Sequence, residues 1–262
     1  MNGGSPWRGY SWHLLDEEPQ PPALHLALDE VLTRRLGAGE RPPTLRLWRW
    51  TTPAVILGRF QSVRNEVDEE AAGRYGVQVV RRMTGGGAMF VEPDNAVTYS
   101  IYAPPELVAG MSSVDSYAFF DEWVIEALRS LDIDAWYEPI NDITSAGGKI
   151  GGAAHARRPG AVLHHVTMSY EMNAAKMLEV LRIGQEKVSD KAIRSVEKRV
   201  GPLRRQTQLP RETIIERMVA TFAERNTEQG LVEDRISPDE LVEAKELERT
   251  KYGSQEWTYF IP

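Results

Sequence analysis

Arg81-Arg82-Met83-Thr84-Gly85-Gly86-Gly87-Ala88-Met89-Phe90 sets two guanidinium groups and a hydroxyl directly before three consecutive glycines. A glycine run costs backbone entropy and is kept where the chain turns sharply or something comes close to it. Read alone, three glycines after a strand fit a bulge or turn as well as a binding wall. The flanks favour the wall. Arg82 offers a planar fork for phosphate or carboxylate, Thr84 a hydroxyl, and bare glycines leave N–H groups uncovered.

A second stretch, Ser145 to Ala154, repeats the arrangement with one cation. Lys149 stands between Gly147-Gly148 and Gly151-Gly152, followed by the small Ala153 and Ala154, with Asn141-Asp142 shortly before. From a strand or tight turn its ammonium can be aimed into a crowded site. Neither cluster is a phosphate-binding P-loop, since Ile150 follows Lys149 and Ile143 stands where the first glycine is required. Gly85-Gly86-Gly87 lacks the wider spacing of the dinucleotide fingerprint. Among the histidines, His164 alternates with Val162, Val166 and Met168 and reads as core. His165 and Thr167 share the other face and could line a pocket. No helical i, i+4 spacing joins His155 to this pair, so protein side chains are not expected to bind a metal.

The elements that must carry these residues come from both periods. Residues 24–36 read as a helix ending near Gly37, with strands at 44–50, 54–58 and 78–82, the last leading into the first glycine run. Residues 96–103 and 161–170 alternate as strands, and 115–131 follows the helical i, i+4, i+7, i+8 rule. Further helices are expected from Ala174 to a stop at Gly184, after Pro210, and from a capping box at Ser237 and Glu240. Residues 184–209 are basic and read as a mobile surface loop. The predicted class is α+β: a central mixed or antiparallel sheet flanked by helices, because strands neighbour one another without strict βα alternation.

Composition bounds the function. The 262 residues carry 31 basic and 38 acidic side chains, a net charge of −7, which argues against a general nucleic-acid binder. No apolar run approaches the roughly 18 residues of a membrane span, and no leader pattern opens the chain, so a cytoplasmic protein is expected. With no cysteine, disulfides, thiolate metal sites and thiol nucleophiles are excluded.

Taken together, the motifs resemble lipoate–protein ligases of the A type, in the biotin/lipoate ligase superfamily. Arg81 to Met89, Asn141-Asp142-Ile143, Lys149 to Ala154 and His164 to Thr167 match that family's motifs in order, and the likeness runs from about Leu26 to Trp257. The resemblance implies one catalytic domain over residues 1–262, without the small C-terminal accessory domain many members carry. It places Arg82, Thr84 and Gly87 on the acyl and phosphate side of a lipoyl-AMP intermediate, and Asn141, Asp142 and Lys149 near the adenylate. Gly85, Gly86, Ala88, Asn95, Gly152, Ala153, His165 and Thr167 complete the implied binding set. Where the family usually has a histidine after the position of Phe90, this chain has Val91, then Glu92-Pro93.

The implied activity is ATP-dependent activation of lipoate followed by transfer to a lysine. Mg²⁺ would come with ATP, with Asp142 as its candidate contact, and Lys149 would hold developing charge in both steps. Acceptors by resemblance are lipoyl domains of 2-oxoacid dehydrogenase complexes or a glycine-cleavage carrier, whose acidic surroundings would suit the basic stretch 184–205. A separate small subunit is expected to support adenylation. No nucleic acid or membrane partner is expected. Octanoyl and lipoyl transferases are disfavoured, because that chemistry passes through a cysteine thioester. Biotin ligase is disfavoured by the absent Gly-Arg-Gly-Arg stretch, and a non-catalytic homologue by the presence of Asn141, Asp142 and Lys149.

Overall fold

A computed structural model describes residues 5–16, 18–182 and 200–262. In chain order the first half holds β1 (His13–Asp16), α1 (Pro22–Gly37), β2 (Thr44–Trp48), β3 (Ala54–Leu57) and the short α2 (Val63–Glu66). Then follow α3 (Glu69–Arg74), β4 (Gln78–Arg81), β5 (Met89–Val91), β6 (Ala96–Ala103) and α4 (Ser113–Arg129). The second half has β7 (Ala135–Glu138), β8 (Asp142–Ser145), β9 (Gly148–Arg158), β10 (Ala161–Ser169) and α5 (Ala174–Val180). It continues through α6 (Arg211–Asn226), β11 (Val232–Glu233), α7 (Pro238–Leu247) and α8 (Gln255–Thr258).

Among the described residues the strands form an eight-stranded sheet, ordered β11-β1-β2-β6-β10-β9-β8-β7, and a three-stranded sheet, β4-β3-β5. Both are mixed: β1 runs parallel to β2, β6 antiparallel to β2 and β10, and β3 parallel to β4 but antiparallel to β5. The α+β class read from the sequence is what the chain adopts.

Period-two alternation decides which side of the large sheet each residue serves. On β6, Val97, Tyr99 and Ile101 join Phe120, Trp123 and Val124 of α4 and Met218 and Phe222 of α6 in one apolar core. The alternate residues Thr98, Ser100 and Tyr102 are also buried, but their polar atoms meet α1, Trp50 and β10 instead. On β10, Val162, Val166 and Met168 belong to the α4 side, and His164 joins them by bonding Asp121 of α4 at 2.8 Å. Both members of that pair are fully buried, so His164 is the core histidine expected of its position.

Helix α1 begins with Pro22 at its first turn, where a missing N–H costs nothing. It lies between the large sheet and α7 and buries residues around its whole circumference, Asp29 and His25 included. Its last residue, Gly37, is required by packing: a Cβ there would stand 2.4 Å from the Pro159 carbonyl. Ser237 opens α7 with the predicted capping box, its hydroxyl accepting from Glu240 N while the Glu240 carboxylate accepts from Ser237 N. The expected stop at Gly184 and the basic positions Lys187, Lys191, Arg194, Lys198 and Arg199 lie outside the described residues. The rest of the predicted loop is partly ordered by pairing, since Val200 bridges Lys149 and Leu203–Arg205 forms a 3₁₀ turn. Among the described residues no helix is long and apolar enough to cross a membrane.

Candidate active site

The small sheet and the middle of the large one enclose a cavity of about 390 Å³. Its deep wall is apolar, with Leu26, Trp48, Ile56, Val91 and Met168; Lys149 and Asn141 also line it. The sequence candidates Arg82, Gly87, Ala88, Asn95, Gly152, Ala153, His165 and Thr167 line it too. The two glycine clusters therefore face one space. Thr84, Gly85, Gly86 and Asp142 do not form its surface, and each acts through a neighbour.

The first glycine run is built differently from the expectation. Arg82 does not present a free fork to an anion. Its guanidinium donates to the carbonyls of Gly85 (2.7 Å), Gly87 (2.9 Å) and Ile56 (3.2 Å), so the side chain holds the loop closed on itself. Burial lowers its pKa to about 10, and the group stays a cation at neutral pH. Gly86 has φ +98°, and a Cβ on it would lie 2.8 Å from Arg82 Nη2. Gly58 must also be bare, because a Cβ there would stand 1.9 Å from the Gly86 carbonyl. Gly85 and Gly87 have open space at the Cβ position, and Gly87 is the one that lines the cavity. Turn and wall are thus both present, on different glycines. Arg81, fully buried, points away and donates to the carbonyls of Thr258 (2.6 Å), Ile261 (3.2 Å), Gly58 (3.1 Å) and Gln61 (2.5 Å). Trp257 returns the contact through its indole N–H to the Arg81 carbonyl.

In the second cluster Lys149 lies on β9, and its ammonium meets Asp142 Oδ1 at 2.6 Å with the lysine side chain 46% exposed. Only Gly152 serves this pair, since its Cβ position lies 3.5 Å from Lys149 Nζ and 3.6 Å from Asp142 Oδ1. Gly147 and Gly151 serve packing against the Gln206 side chain and the Thr167 carbonyl. Asn141 is tied to the sheet through the Ala153 carbonyl (2.5 Å), and Asn95 donates to Glu92 (3.2 Å). Glu92 in turn pairs with Lys176 at 2.7 Å, while Val91 is buried in β5 opposite Ala54.

A third arrangement was not visible in the sequence. Thr84 Oγ1 lies 2.8 Å from His165 Nε2, and His165 Nδ1 lies 2.7 Å from Asp29 Oδ2. Asp29 Oδ1 accepts from Ser100 (2.8 Å) and Tyr102 (2.6 Å), with Arg46 at 3.5 Å. A carboxylate only accepts, so Nδ1 carries the hydrogen and Nε2 the lone pair that receives the Thr84 hydroxyl. Burial pushes the His165 pKa down, against the opposing pull of Asp29, and the ring is neutral at physiological pH.

Among the described residues no group of three or more His, Asp or Glu is placed to hold a metal ion. Among the described residues the cations lining the cavity are Arg82, spent on carbonyls, and Lys149, paired with Asp142.

Comparison with known proteins fixes the family and corrects the activity. A family model, the Lipoyl protein ligase A/B catalytic domain, matches residues 21–223. Octanoyltransferase LipM of Kyrpidia tusciae is 31% identical, with 95% of this chain and 98% of that protein covered. Octanoyltransferase LipM of Geobacillus kaustophilus is 28% identical over 95% and 98% of the two chains. A bipartite lipoate protein ligase of Thermoplasma acidophilum, studied with its E2 lipoyl domain, superposes with TM-score 0.85 at 29% identity, covering 97% of each chain. A lipoate-protein ligase A bound with ATP superposes with TM-score 0.82 at 28% identity, over 96% of this chain and 100% of that one. The fold expectation holds. The ATP-dependent ligase activity expected from the sequence does not, because these sequence relatives are transferases. The reason for the error is specific: lack of cysteine excludes an acyl-cysteine intermediate, not acyl transfer.

Proposed function

The chain belongs to the lipoyl protein ligase A/B catalytic-domain family, and from that membership we propose that it transfers an octanoyl-type acyl group from a thioester to a lysine amine of a lipoyl domain. The observation that carries this reading is the cavity itself, apolar at depth and bordered by a lysine. Leu26, Trp48, Ile56, Val91 and Met168 suit an alkyl chain, and Lys149 borders the same cavity. The volume of about 390 Å³ lies within the ordinary range of small-ligand pockets, roughly 300–1,000 Å³. The transferase relatives support the donor, and the neighbour studied with its E2 lipoyl domain supports the acceptor.

The reaction needs no nucleotide. A thiol of pKa about 8.5 is a far better leaving group than an amine, so a thioester is already activated toward aminolysis. The acceptor nitrogen attacks the carbonyl carbon, and an oxyanion develops on oxygen. The Lys149 ammonium, anchored by Asp142, is the cation available to hold that charge; one such donor is worth about 10²–10³ in rate. Arg82 keeps the loop of Gly85, Gly86 and Gly87 in one shape, and Gly87 lets the acyl carbonyl approach the backbone. With no cysteine in the chain, the acyl group passes to the amine without an enzyme-bound thioester, and holding donor and acceptor together supplies much of the acceleration.

The test is intact mass of a lipoyl domain incubated with this chain and an octanoyl-loaded acyl carrier protein, without ATP. One added octanoyl group, absent when the lipoyl-domain lysine is replaced, is the expected result. No product from the thioester, with lipoylation appearing when lipoate, ATP and Mg²⁺ are supplied instead, would overturn the reading.

A further inference from the structure

An ammonium that must meet a developing oxyanion has to be held in one place, and the Lys149–Asp142 pair holds it only weakly. With 46% and 30% of the two side chains exposed, water screens the attraction and two flexible chains lose entropy in making it. The aim of Lys149 is therefore set by the backbone that carries it. That backbone departs from strict alternation. Counting back from Gly152, period two would turn Lys149 to the face of Gly151, which is paired with Met168 of the apolar core. The ladder to β8 instead slips by one residue. Ile143 is paired with Gly151 but Thr144 with Lys149, so Ile150 is the extra residue of a β-bulge. The slip buries Ile150 in the core and returns Lys149 to the side of Asp142 and Gly152.

A bulge interrupts its ladder, and β9 loses its other neighbour at the same point, Met168–Gly151 being the last pair with β10 among the described residues. Residues 200–206 take over that edge. Val200 pairs in parallel with Lys149, and the Gly201 N–H donates to the Lys149 carbonyl at 2.8 Å. We propose that residues 200–206 are a clamp that fixes the bulged backbone of Lys149 and so aims its ammonium, with Gln206 as the positioning residue; the assignment rests on the transfer reaction above.

The Gln206 amide ties the clamp to the turn between β8 and β9. Its Oε1 accepts from Ser145 Oγ at 2.6 Å, and its Nε2 donates to the Gly201 carbonyl at 2.8 Å. Ser145 Oγ in turn accepts from the Gly147 N–H at 3.1 Å. The approach requires bare backbone on both sides. A Cβ on Gly147 would stand 2.9 Å from Gln206 Cδ, and one on Gly201 would stand 2.5 Å from the Gly147 carbonyl oxygen. The clamp has its own anchors, because Leu203 is buried in the core and the Arg204 N–H donates to the Tyr170 carbonyl at 2.8 Å, just beyond β10. A rigid core position is thereby passed through one side-chain amide to the strand that carries the lysine. Gln206 does not line the cavity, so it acts on the reaction only through Lys149.

The experiment is a double-mutant cycle between Gln206→Met and Lys149→Met, read as kcat and KM for transfer from octanoyl-loaded acyl carrier protein to a lipoyl domain. Methionine keeps the length of the side chain and removes both hydrogen bonds. In the wild-type background Gln206→Met should lower kcat about 10- to 10²-fold, the scale of a small misplacement at a reacting centre, with KM for donor and acceptor little changed. In the Lys149→Met background the same substitution should cost less than about two-fold, because the group it positions is gone. Gly201→Ala, whose Cβ would press on the Gly147 carbonyl, should repeat the pattern. Melting curves accompany each variant, and Ser145→Ala, which removes the same bond from its other end, carries the cycle if Gln206→Met unfolds. Equal losses in both backgrounds would reduce the clamp to general structural support, and a loss confined to KM would make it an acceptor contact. An unchanged kcat in Gln206→Met, or a Lys149→Met chain as fast as wild type, would leave nothing for it to position. Each of these overturns the clamp while transfer by the wild-type chain stands; a wild-type chain that transfers no octanoyl group removes the transfer reaction and the clamp together.

Discussion

Gly86→Ala and Gly87→Ala add the same methyl group one residue apart, and the geometry separates their consequences. At Gly86 the backbone has φ +98°, a region that residues with a side chain adopt only at a cost of about 1–3 kcal/mol. The new Cβ would also lie 2.8 Å from Arg82 Nη2, the nitrogen that donates to Gly85 and Gly87. Displacing it weakens at least one charge-assisted bond inside a buried loop, about 1.5–3 kcal/mol. The two terms together give about 2.5–6 kcal/mol, which for a chain of this size corresponds to a fall in Tm of about 5–24 °C. At Gly87 the Cβ meets nothing within 4 Å and the φ carries no such strain, so stability should stay within about 1 kcal/mol of wild type. Gly87 lines the cavity, however, and the methyl group projects into space the acyl group needs. Melting curves together with titration of an octanoyl ligand measure both quantities. Gly86→Ala should melt early, and Gly87→Ala should melt normally and bind weakly. A Gly86→Ala protein that melts with wild type, or a Gly87→Ala protein that binds normally, would show that the loop is not locked in the described form.

Lys149→Met should lower acyl transfer about 10²–10³-fold in single-turnover assays and leave Tm nearly unchanged, because the side chain is half-exposed; a rate near wild type would remove the oxyanion role. Acid should destabilise the fold through its buried imidazoles. Burial lowers the His155 pKa to about 4, so as pH falls from about 6.5 the unfolded chain takes up a proton that the folded chain refuses, and stability declines down to about pH 4. His25 and His165 are shifted in the same direction, and a His155→Gln variant should show a shallower decline in Tm across that window. Ser237→Ala removes the capping box of α7 and should cost about 1 kcal/mol by chemical denaturation, with no change in transfer rate.

Much of the site was legible because alternation along a strand is local information. The opposite fates of His164 and His165, one bonded to Asp121 in the core and one lining the cavity, follow from their neighbours on 161–170. The convergence of both glycine clusters on one cavity came from the family motifs. What could not be read was how polar groups divide their bonds. A guanidinium fits a ring of carbonyls as well as it fits a phosphate, and Arg82 took the carbonyls. Thr84, His165 and Asp29 come from three separated segments with no shared spacing, so only the tertiary fold assembles them. The short strands β1, β5, β7 and β8 escaped notice, and the glycines of β9 leave it open between a strand and a tight turn.

Arg81 has a consequence for how the chain matures. Its carbonyl partners at Thr258 and Ile261 lie 177 and 180 residues further along. During synthesis from the N-terminus, β4 and the glycine loop emerge long before those acceptors exist. Until they arrive, the guanidinium has only Gly58, Arg59 and Gln61 to bond, and burying it is correspondingly costly. The tail therefore acts as a late clasp on the end of β4, while the glycine loop, tied by Arg82 to Ile56, Gly85 and Gly87, has its own bonds before the last helix docks. A nascent chain halted before residue 258 would keep that loop and leave Arg81 short of its two C-terminal acceptors.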